Sequence, residues 1–204
     1  MSLFKKLFGS KSQKSESEIK SEERSKYMPE VKLPIDERFT INFKSNGGKF
    51  LYCENLDEIF TSFQNIIDEN EWHDSKTLLF DANLESLFES LKLQGTKRES
   101  EASYFLTTCE NLIADDGSIL ISSRQIAEKK LKELPSHFVV YATTSQMVES
   151  ISEGMRGIKK KHPKKLPTNI TTIKHFKSEA SSDKDFLSYG SSSKNLYLLL
   201  LEDL

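Results

Sequence analysis

Short runs of apolar residues alternate along this chain with segments whose apolar residues recur every three or four positions. The runs include KTLLFDA, SILIS, HFVVYA and NLYLLLLE, and the recurring pattern is clearest in NLDEIFTSFQNIIDEN. A continuous apolar run indicates a strand that is covered on both faces, whereas the longer period indicates an amphipathic helix. Because the two alternate, the sequence predicts a three-layer α/β domain with a mainly parallel sheet and helices on both faces.

Turn and capping residues predict where the individual helices and strands lie. RFTINFKSNGGKFLYCE alternates apolar and polar residues around Asn46-Gly47-Gly48, which predicts a hairpin of two strands. NLDEIFTSFQNIIDEN is predicted to be a helix capped by Asn55 or Asp57, and NLESLFESLK a helix capped by Asn83. Helices are also predicted over QIAEKKLKEL, ended by Pro135, and over SQMVESISEGMRGIKK. ASYFLTTCENLIA fits a strand or a helical turn, and NITTIKHF is predicted to be a strand.

The first 26 residues differ from the rest. SLFKKLFG, residues 2–9, places apolar side chains on one side of a short helix, which fits contact with a membrane surface or a partner, or capping of the protein's own core. The serine-rich and charged stretch that follows buries too little apolar surface to order itself, so it is predicted to be a disordered linker. The α/β domain is therefore expected to span residues 27–204.

Composition excludes several classes of protein. The chain has 204 residues, a net charge of −2 and a pI near 6.1, which argues against nucleic acid as the main partner. Cys53 and Cys109 lack a metal-binding spacing and are expected to be reduced thiols in the cytoplasm. The four scattered histidines predict no metal site, and no cofactor is expected. The apolar run at Leu196–Leu201 is too short to span a bilayer.

Hydroxyl side chains follow several predicted strands. Ser122, Ser123 and Arg124 come after SILIS; Thr143, Thr144 and Ser145 come after HFVVYA; and a third polar loop follows NITTIKHF. Ligands of open α/β sheets bind beyond the carboxyl ends of the strands, so these loops predict a site for a small organic anion or a phosphorylated metabolite. The alternative is that these residues only cap helices and close turns.

Two acids and a glycine, Asp115, Asp116 and Gly117, precede SILIS. If they faced a pocket, repulsion between the carboxylates would raise one pKa and provide a general acid or base. The alternative is an exposed turn in which Gly117 adopts a positive φ. Serine-hydrolase, Walker and dinucleotide-binding motifs are absent from the sequence. The basic stretch Arg156–Lys165 fits a phosphate, an acidic partner, RNA, or a solvated helix end.

IADDGSILIS, taken together with LPSHFVVYATTSQMV, resembles the LUD (lactate-utilization) domain family. The family typically has an Ala-Glu-Thr-Gly segment that leads into an apolar strand, and Ala114–Ser118 stands in that place. Further on, the family has Gly-Pro-Ser, then Thr-Ala-Asp, then His-Gly-Pro. This chain has Ser181, Ser182 and Asp183 at the second segment, and Gly190 with Ser191 at the third, but it lacks the Gly-Pro-Ser. By this resemblance, Gly117 and these five residues are expected to contact a ligand.

The resemblance covers roughly residues 102–204 and implies a fold similar to the sugar-phosphate isomerase and CoA-transferase superfamily. It implies a component of L-lactate oxidation that works beside iron–sulfur subunits; without cysteine clusters, this chain would be the cluster-free component.

Three hypotheses remain open. The first is an accessory, ligand-binding protein of organic-acid metabolism. The second is an isomerase or CoA transferase, with Asp115 or Asp116 as acid–base group or Glu110 as nucleophile. The third is a docking protein that uses residues 2–9.

Overall fold

The computed structural model describes residues 33–176 and 194–204. Ten strands run through this part of the chain. In order they are β1 (Lys49–Cys53), β2 (Lys76–Leu78), β3 (Gln94–Thr96), β4 (Ala102–Thr107), β5 (Asn111–Ile113), β6 (Ser118–Ile121), β7 (His137–Thr143), β8 (Met147–Val148), β9 (Thr171–Ile173) and β10 (Asn195–Leu201).

Five α-helices separate these strands within the described ranges. They are α1 (Ile35–Ser45), α2 (Leu56–Glu69), α3 (Ala82–Leu87), α4 (Ser123–Ile126) and α5 (Ile151–Lys161). Short 3₁₀ turns lie at Glu89–Leu91, Glu99–Glu101, Leu131–Glu133 and Thr144–Gln146.

The main sheet has six strands in the order β1-β10-β7-β4-β2-β3, and every neighbouring pair is parallel. Its central strands are apolar throughout: all of Leu196–Leu200 is buried. This composition fits strands that are covered on both sides. The predicted α/β fold with a mainly parallel sheet is therefore confirmed.

Helices cover both faces of this sheet. On one face, α2 packs through Ile59 and Phe63 against a cluster that includes Tyr104 and Leu199. On the other face, α1 places the ring of Phe43 6.3 Å from that of Phe50 on β1. Burial of these large side chains supplies the main driving force for the layered arrangement.

The predicted hairpin around Asn46 is wrong in its first strand, because residues 35–45 form helix α1. A strand would place Phe39, Ile41 and Phe43 on one face, whereas a helix groups Phe39 with Phe43 and turns Ile41 away. Both phenylalanines are fully buried and Ile41 is 52% exposed, as the helix requires. The pattern of this short segment fits both periods, and packing of the two phenylalanine rings selects the helix.

Three further element predictions need correction. The predicted helix over QIAEKKLKEL is reduced to the end of α4 and a 3₁₀ turn, since Ala127 and Glu128 adopt φ of 47° and 64°. Asp81 rather than Asn83 caps α3, and Ser150 starts α5 later than predicted. The Asn55 cap of α2 is confirmed, because its side chain accepts a hydrogen bond from the Glu58 amide.

The strands on either side of the Asp115–Gly117 turn belong to a second sheet that the sequence analysis did not separate from the first. This sheet has the order β8-β5-β6-β9 and mixes parallel and antiparallel pairs. The segment ASYFLTTCENLIA, which fitted a strand or a helical turn, forms β4 in the main sheet and β5 in the second. The polypeptide therefore changes sheets at Thr108–Glu110.

The predicted amphipathic segment at residues 2–9, the linker up to residue 26 and the start of the domain at residue 27 lie outside the described residues. Across the described ranges, no helix combines the length and apolar character that crossing a bilayer requires.

Candidate functional site

The carboxyl ends of three neighbouring strands bring polar residues together at one edge of the main sheet. Because β1, β10 and β7 are parallel and adjacent, the residues at their carboxyl ends meet at the same edge. Tyr52 lies near the end of β1, Glu202 and Asp203 follow β10, and Thr143–Ser145 ends β7 and begins the next turn. We call these residues, Tyr52, Thr143–Ser145, Glu202 and Asp203, the Asp203 site.

The carboxylate of Asp203 is held by three hydrogen bonds from the loop after β7. Its Oδ1 accepts from the Ser145 amide at 2.8 Å and from the Thr144 hydroxyl at 2.9 Å, and its Oδ2 accepts from the Ser145 hydroxyl at 2.7 Å. Partial burial opposes ionisation of Asp203, but these hydrogen bonds outweigh it and leave its pKa below the usual value. The loop is therefore built to bind an ionised carboxylate.

A second carboxylate lies beside the first. Glu202 accepts a hydrogen bond from the Tyr52 hydroxyl and lies 3.3 Å from the Thr144 hydroxyl oxygen. Burial and the negative charge of Asp203 raise the pKa of the nearby Tyr141 phenol. The Asp203 site thus combines hydroxyl donors with carboxylate acceptors.

Gln146 connects the Asp203 site to the loop after β4. Its side-chain oxygen accepts from the Thr143 amide at 2.9 Å, and its side-chain nitrogen donates to the Cys109 carbonyl at 2.7 Å. The Asn111 amide group donates in turn to the Gln146 carbonyl at 3.1 Å. These hydrogen bonds fix the loop that carries Thr144 and Ser145 against the start of β5.

Glu110 and Ser122 are the buried members of a cluster at the open end of the β5–β6 hairpin. The Ser122 hydroxyl donates to its Oε1 at 2.7 Å, and the Gln125 amide donates to the same oxygen at 3.3 Å. Ser122 and Gln125 also form the capping box of α4. Glu110 is only 6% exposed, and its Oε1 accepts hydrogen bonds from both residues of this capping box, so its side chain helps to hold the start of α4. We call Glu110, Ser122 and Gln125 the Glu110 cluster.

Ser123 and Arg124 turn away from the Asp203 site toward a different segment. The Ser123 hydroxyl accepts from the Thr168 amide at 3.0 Å, and the Ser123 amide donates to the Thr168 carbonyl at 2.9 Å. Arg124 lies 3.2 Å from the Nδ1 atom of His162. Ser122 therefore has its partners in the Glu110 cluster, while Ser123 and Arg124 contact the segment between α5 and β9.

Asp115, Asp116 and Gly117 form the turn at the other end of the β5–β6 hairpin from Glu110. Asp116 accepts hydrogen bonds from the amide and the hydroxyl of Ser118, at 3.0 and 2.6 Å. Asp115 forms an ion pair with Arg38 at 3.4 Å. Their contacts are those of a turn that is attached to helix α1, which is the structural alternative that the sequence analysis left open.

The remaining predicted ligand contacts, Ser181, Ser182, Asp183, Gly190 and Ser191, lie outside the described residues. Within residues 33–176 and 194–204, no group of three or more His, Cys, Asp or Glu side chains is arranged to hold a metal ion.

Sequence analysis missed Tyr52, Gln146, Glu202 and Asp203. A signal for the two acids was present, because they directly follow the predicted strand NLYLLLLE and its end meets the same edge as the end of HFVVYA. Tyr52 lies within a strand that was correctly predicted, but its neighbour in the sheet, β10, could not be identified without the strand order.

A family model described as LUD domain matches residues 37–201 of this chain. The match covers both sheets and includes residues 37–101, where the sequence alone showed only a similar order of elements. A search of curated proteins gives no match.

A similar fold occurs in a solved structure, described as a crystal structure of a DUF162 family protein from Deinococcus radiodurans. The TM-score is 0.57 at 13% sequence identity, and the alignment covers 83% of this chain and 96% of that one. At this identity, the likeness supports the fold.

Proposed function

The chain belongs to the LUD domain family, and from this membership we propose that it is an accessory, ligand-binding component of L-lactate or related organic-acid oxidation in the cytoplasm. The family supports a role related to lactate utilization. Beyond this family-level role, we propose that the chain binds a ligand, that the ligand is lactate or a related organic acid, and that the protein acts in the cytoplasm.

The observation that carries this proposal is the binding of the Asp203 carboxylate by Ser145 and Thr144. One backbone amide and two hydroxyls converge on a carboxylate that is attached to the protein itself. A small carboxylic acid such as lactate presents the same group, so it can replace the Asp203 side chain at these donors. Asp203 is exposed, so its displaced side chain can turn toward solvent, where water and salt screen its repulsion from the incoming carboxylate.

Lactate also carries a hydroxyl group next to its carboxylate, and this hydroxyl requires a hydrogen-bond acceptor. Glu202 provides one, because its Oε1 lies 3.3 Å from the Thr144 hydroxyl oxygen that contacts Asp203. A site that pairs donors with a nearby acceptor favours a hydroxy acid over a simple carboxylic acid, since each polar group of the ligand then has a partner.

Oxidation of lactate needs a redox centre, which we assign to iron–sulfur partner subunits. The two cysteines of this chain, Cys53 and Cys109, are both buried. Burial raises the pKa of both thiols, and thiolates are the form that ligates iron. Cluster ligands are therefore expected on the partner subunits.

Calorimetric titration of the full-length protein with lactate, pyruvate and acetate tests the binding site. Asp203→Ala removes the competing carboxylate and should tighten lactate binding by about tenfold, whereas Ser145→Ala should weaken it by a similar factor. Asp74→Ala is the matched control, because it removes an exposed acid remote in sequence from the site and should change nothing. Absence of heat for all three acids with the native protein and with Asp203→Ala would refute the site.

The partner assignment needs a separate measurement. Affinity purification of the tagged chain from its own cells should recover iron–sulfur proteins, detected by their visible absorption and by mass spectrometry. If no iron–sulfur protein co-purifies, with or without added lactate, the proposed place in an oxidation system is wrong even where lactate binds.

A further inference from the structure

A cleft along β9, the last strand of the four-stranded sheet, shares no lining residue with the Asp203 site. One wall is formed by residues 126–132 and the other by residues 169–175. Its volume is about 780 Å³, which lies within the range of small-molecule binding sites. The size and shape of this cleft therefore suit a ligand of moderate size.

The Glu128 side chain joins the two walls, and each wall has backbone in the left-handed region. Ala127, Glu128 and Asn169 have φ of 47°, 64° and 48°, in the left-handed region that residues other than glycine rarely adopt. The Glu128 carboxylate bridges the walls, with the Thr168 hydroxyl at 2.5 Å and the Asn169 amide at 2.8 Å. Strain that is held in place by specific hydrogen bonds fixes the width of the cleft.

The charge of the cleft is positive. Lys129, Lys130 and Lys132 lie on one wall, and Lys174 lies on the other. Glu128, the one acid that lines the cleft in the described structure, is already occupied by Thr168 and Asn169. Ion pairs between described residues engage Lys129, with Glu99 at 2.5 Å, and Lys174, with Asp116 at 3.6 Å, but not Lys130 or Lys132. Two ammonium groups are therefore available to an anion.

The cleft also contains apolar and hydroxyl groups. Ile126 and Ile173 form a buried part of the lining, with Leu131 and Ile170 beside them. Thr171 and Thr172 of β9 add hydroxyl groups. This combination of an apolar lining, hydroxyls and lysines complements a molecule that has an apolar or planar part and a highly charged anionic part.

We propose that this cleft binds a phosphate ester of mononucleotide size, with its phosphates at Lys130 and Lys132 and its base or other apolar part against Leu131 and Ile170. Phosphate suits the cleft better than a single carboxylate does, because it carries more negative charge and more acceptor oxygens for several ammonium groups. The site lies outside the one proposed for lactate, and the two proposals stand independently.

Titration with ADP, followed by calorimetry and by amide chemical shifts, tests this assignment on the full-length protein. ADP should bind and shift the resonances of Thr171–Ile173. Adenosine, inorganic phosphate and glucose 6-phosphate should bind at least about tenfold more weakly, because each lacks one half of the interaction. Absence of ADP binding, or equal binding of glucose 6-phosphate, would overturn the proposal.

Lysine variants distinguish the cleft from general charge attraction. Lys130→Ala and Lys132→Ala should each weaken ADP binding by about tenfold. Lys159→Ala is the control, since it removes the same charge from helix α5 outside the cleft lining and should leave binding unchanged. An equal loss in Lys159→Ala would overturn the proposal, as would tighter binding of a short RNA than of ADP, which would assign the lysines to nucleic acid.

Discussion

Gly117 lies so close to helix α1 that a Cβ atom on it would stand 2.4 Å from the backbone nitrogen of Phe43. Its φ of 67° is also unfavourable for any other residue. The turn between β5 and β6 is therefore held against α1 by direct backbone contact, supported by the Asn42 amide, which donates to the Ala114 carbonyl at 2.8 Å.

The first prediction concerns this contact. Gly117→Ala should lower the free energy of unfolding by about 2–4 kcal/mol, because it combines a left-handed conformation with a steric clash. Gly157→Ala is the control: a Cβ there meets no atom within 4 Å, and alanine should stabilise helix α5 by about 0.5–1 kcal/mol. Urea denaturation measures both. Equal stability of the two variants would contradict the close packing.

The second prediction concerns the bond between Ser122 and Glu110. Ser122→Ala removes both the cap of α4 and a partner of a buried carboxylate, so it should cost about 1–3 kcal/mol of stability. A double-mutant cycle with Glu110→Ala should give a coupling energy of about 0.5–3 kcal/mol. A coupling energy near zero would show that the two side chains act independently.

A further variant of Glu110 bears on the transferase hypothesis, in which this residue is the nucleophile. If Glu110 serves the structure alone, Glu110→Gln should leave ligand binding at the Asp203 site within about twofold of the native value, because Gln146 still holds the loop. Turnover of an acyl-CoA or sugar-phosphate substrate that depends on Glu110 or Asp115 would instead support an enzyme.

The third prediction concerns pH. The pKa of Asp203 is lowered in the folded protein, so its contribution to stability is present above the unfolded value of about 4 and is lost as the pH falls through the folded value. The native protein and Asp203→Asn should therefore differ in stability at pH 7 and converge once the pH falls below the folded-state pKa of Asp203. Because the carboxylate is largely exposed, the difference at pH 7 should be about 0.5–1 kcal/mol. A constant difference across this range would contradict the assignment.

The fourth prediction concerns Lys194, a buried lysine whose ammonium donates to the carbonyls of Leu134 and Pro135 at 2.9 and 3.0 Å. Lys194→Met should cost about 1–3 kcal/mol, since it leaves both carbonyls without this donor. Burial lowers the pKa of Lys194 to about 8.

The lowered pKa of Lys194 also determines how the stability of the protein changes with pH. Between pH of about 8 and 10 the unfolded chain binds more protons at this position than the folded one, so folding becomes more favourable as the pH rises. The stability advantage of the native protein over Lys194→Met should therefore increase from pH 7 to pH 10. A decrease would show that the folded state prefers the charged amine.

The sequence predicted an element correctly where the spacing of its apolar residues fitted a helix or a strand but not both. Helix α2 carries apolar residues at several successive helical positions and has a clear cap in Asn55, and both are confirmed. Strands β7 and β10 are apolar almost throughout, and no helical period competes with that pattern. Length and repetition gave these elements an unambiguous signal.

Prediction failed where the deciding contact is remote in sequence. Phe39 and Phe43 fit a strand as well as a helix until the ring of Phe50 and the backbone at Gly117 select the helix. Residues 127–130 have good helix formers, but the bond from Glu128 to Thr168 and Asn169, some forty residues away, forces a turn. Local propensity was overridden by tertiary contacts in both cases.

The candidate site shows the same division. Thr144 and Ser145 were predicted because they follow a recognisable strand. Their partner Asp203 was not, because the position of β10 next to β7 is a property of the sheet order. A loop can be identified from one strand, but the group that faces it requires knowledge of which strands are neighbours.

The position of β10 between β1 and β7 has a consequence for how this chain is made. Strand β1 is synthesised first of the described strands, yet within the described residues its one neighbour in the main sheet is β10, the strand synthesised last. Until β10 emerges, β1 lacks its partner among the described strands and β7 has one open edge, so the nascent chain exposes apolar strand surface from the synthesis of β1 to that of β10. Chaperone contact during translation is thus expected to end only when Asn195–Leu201 inserts.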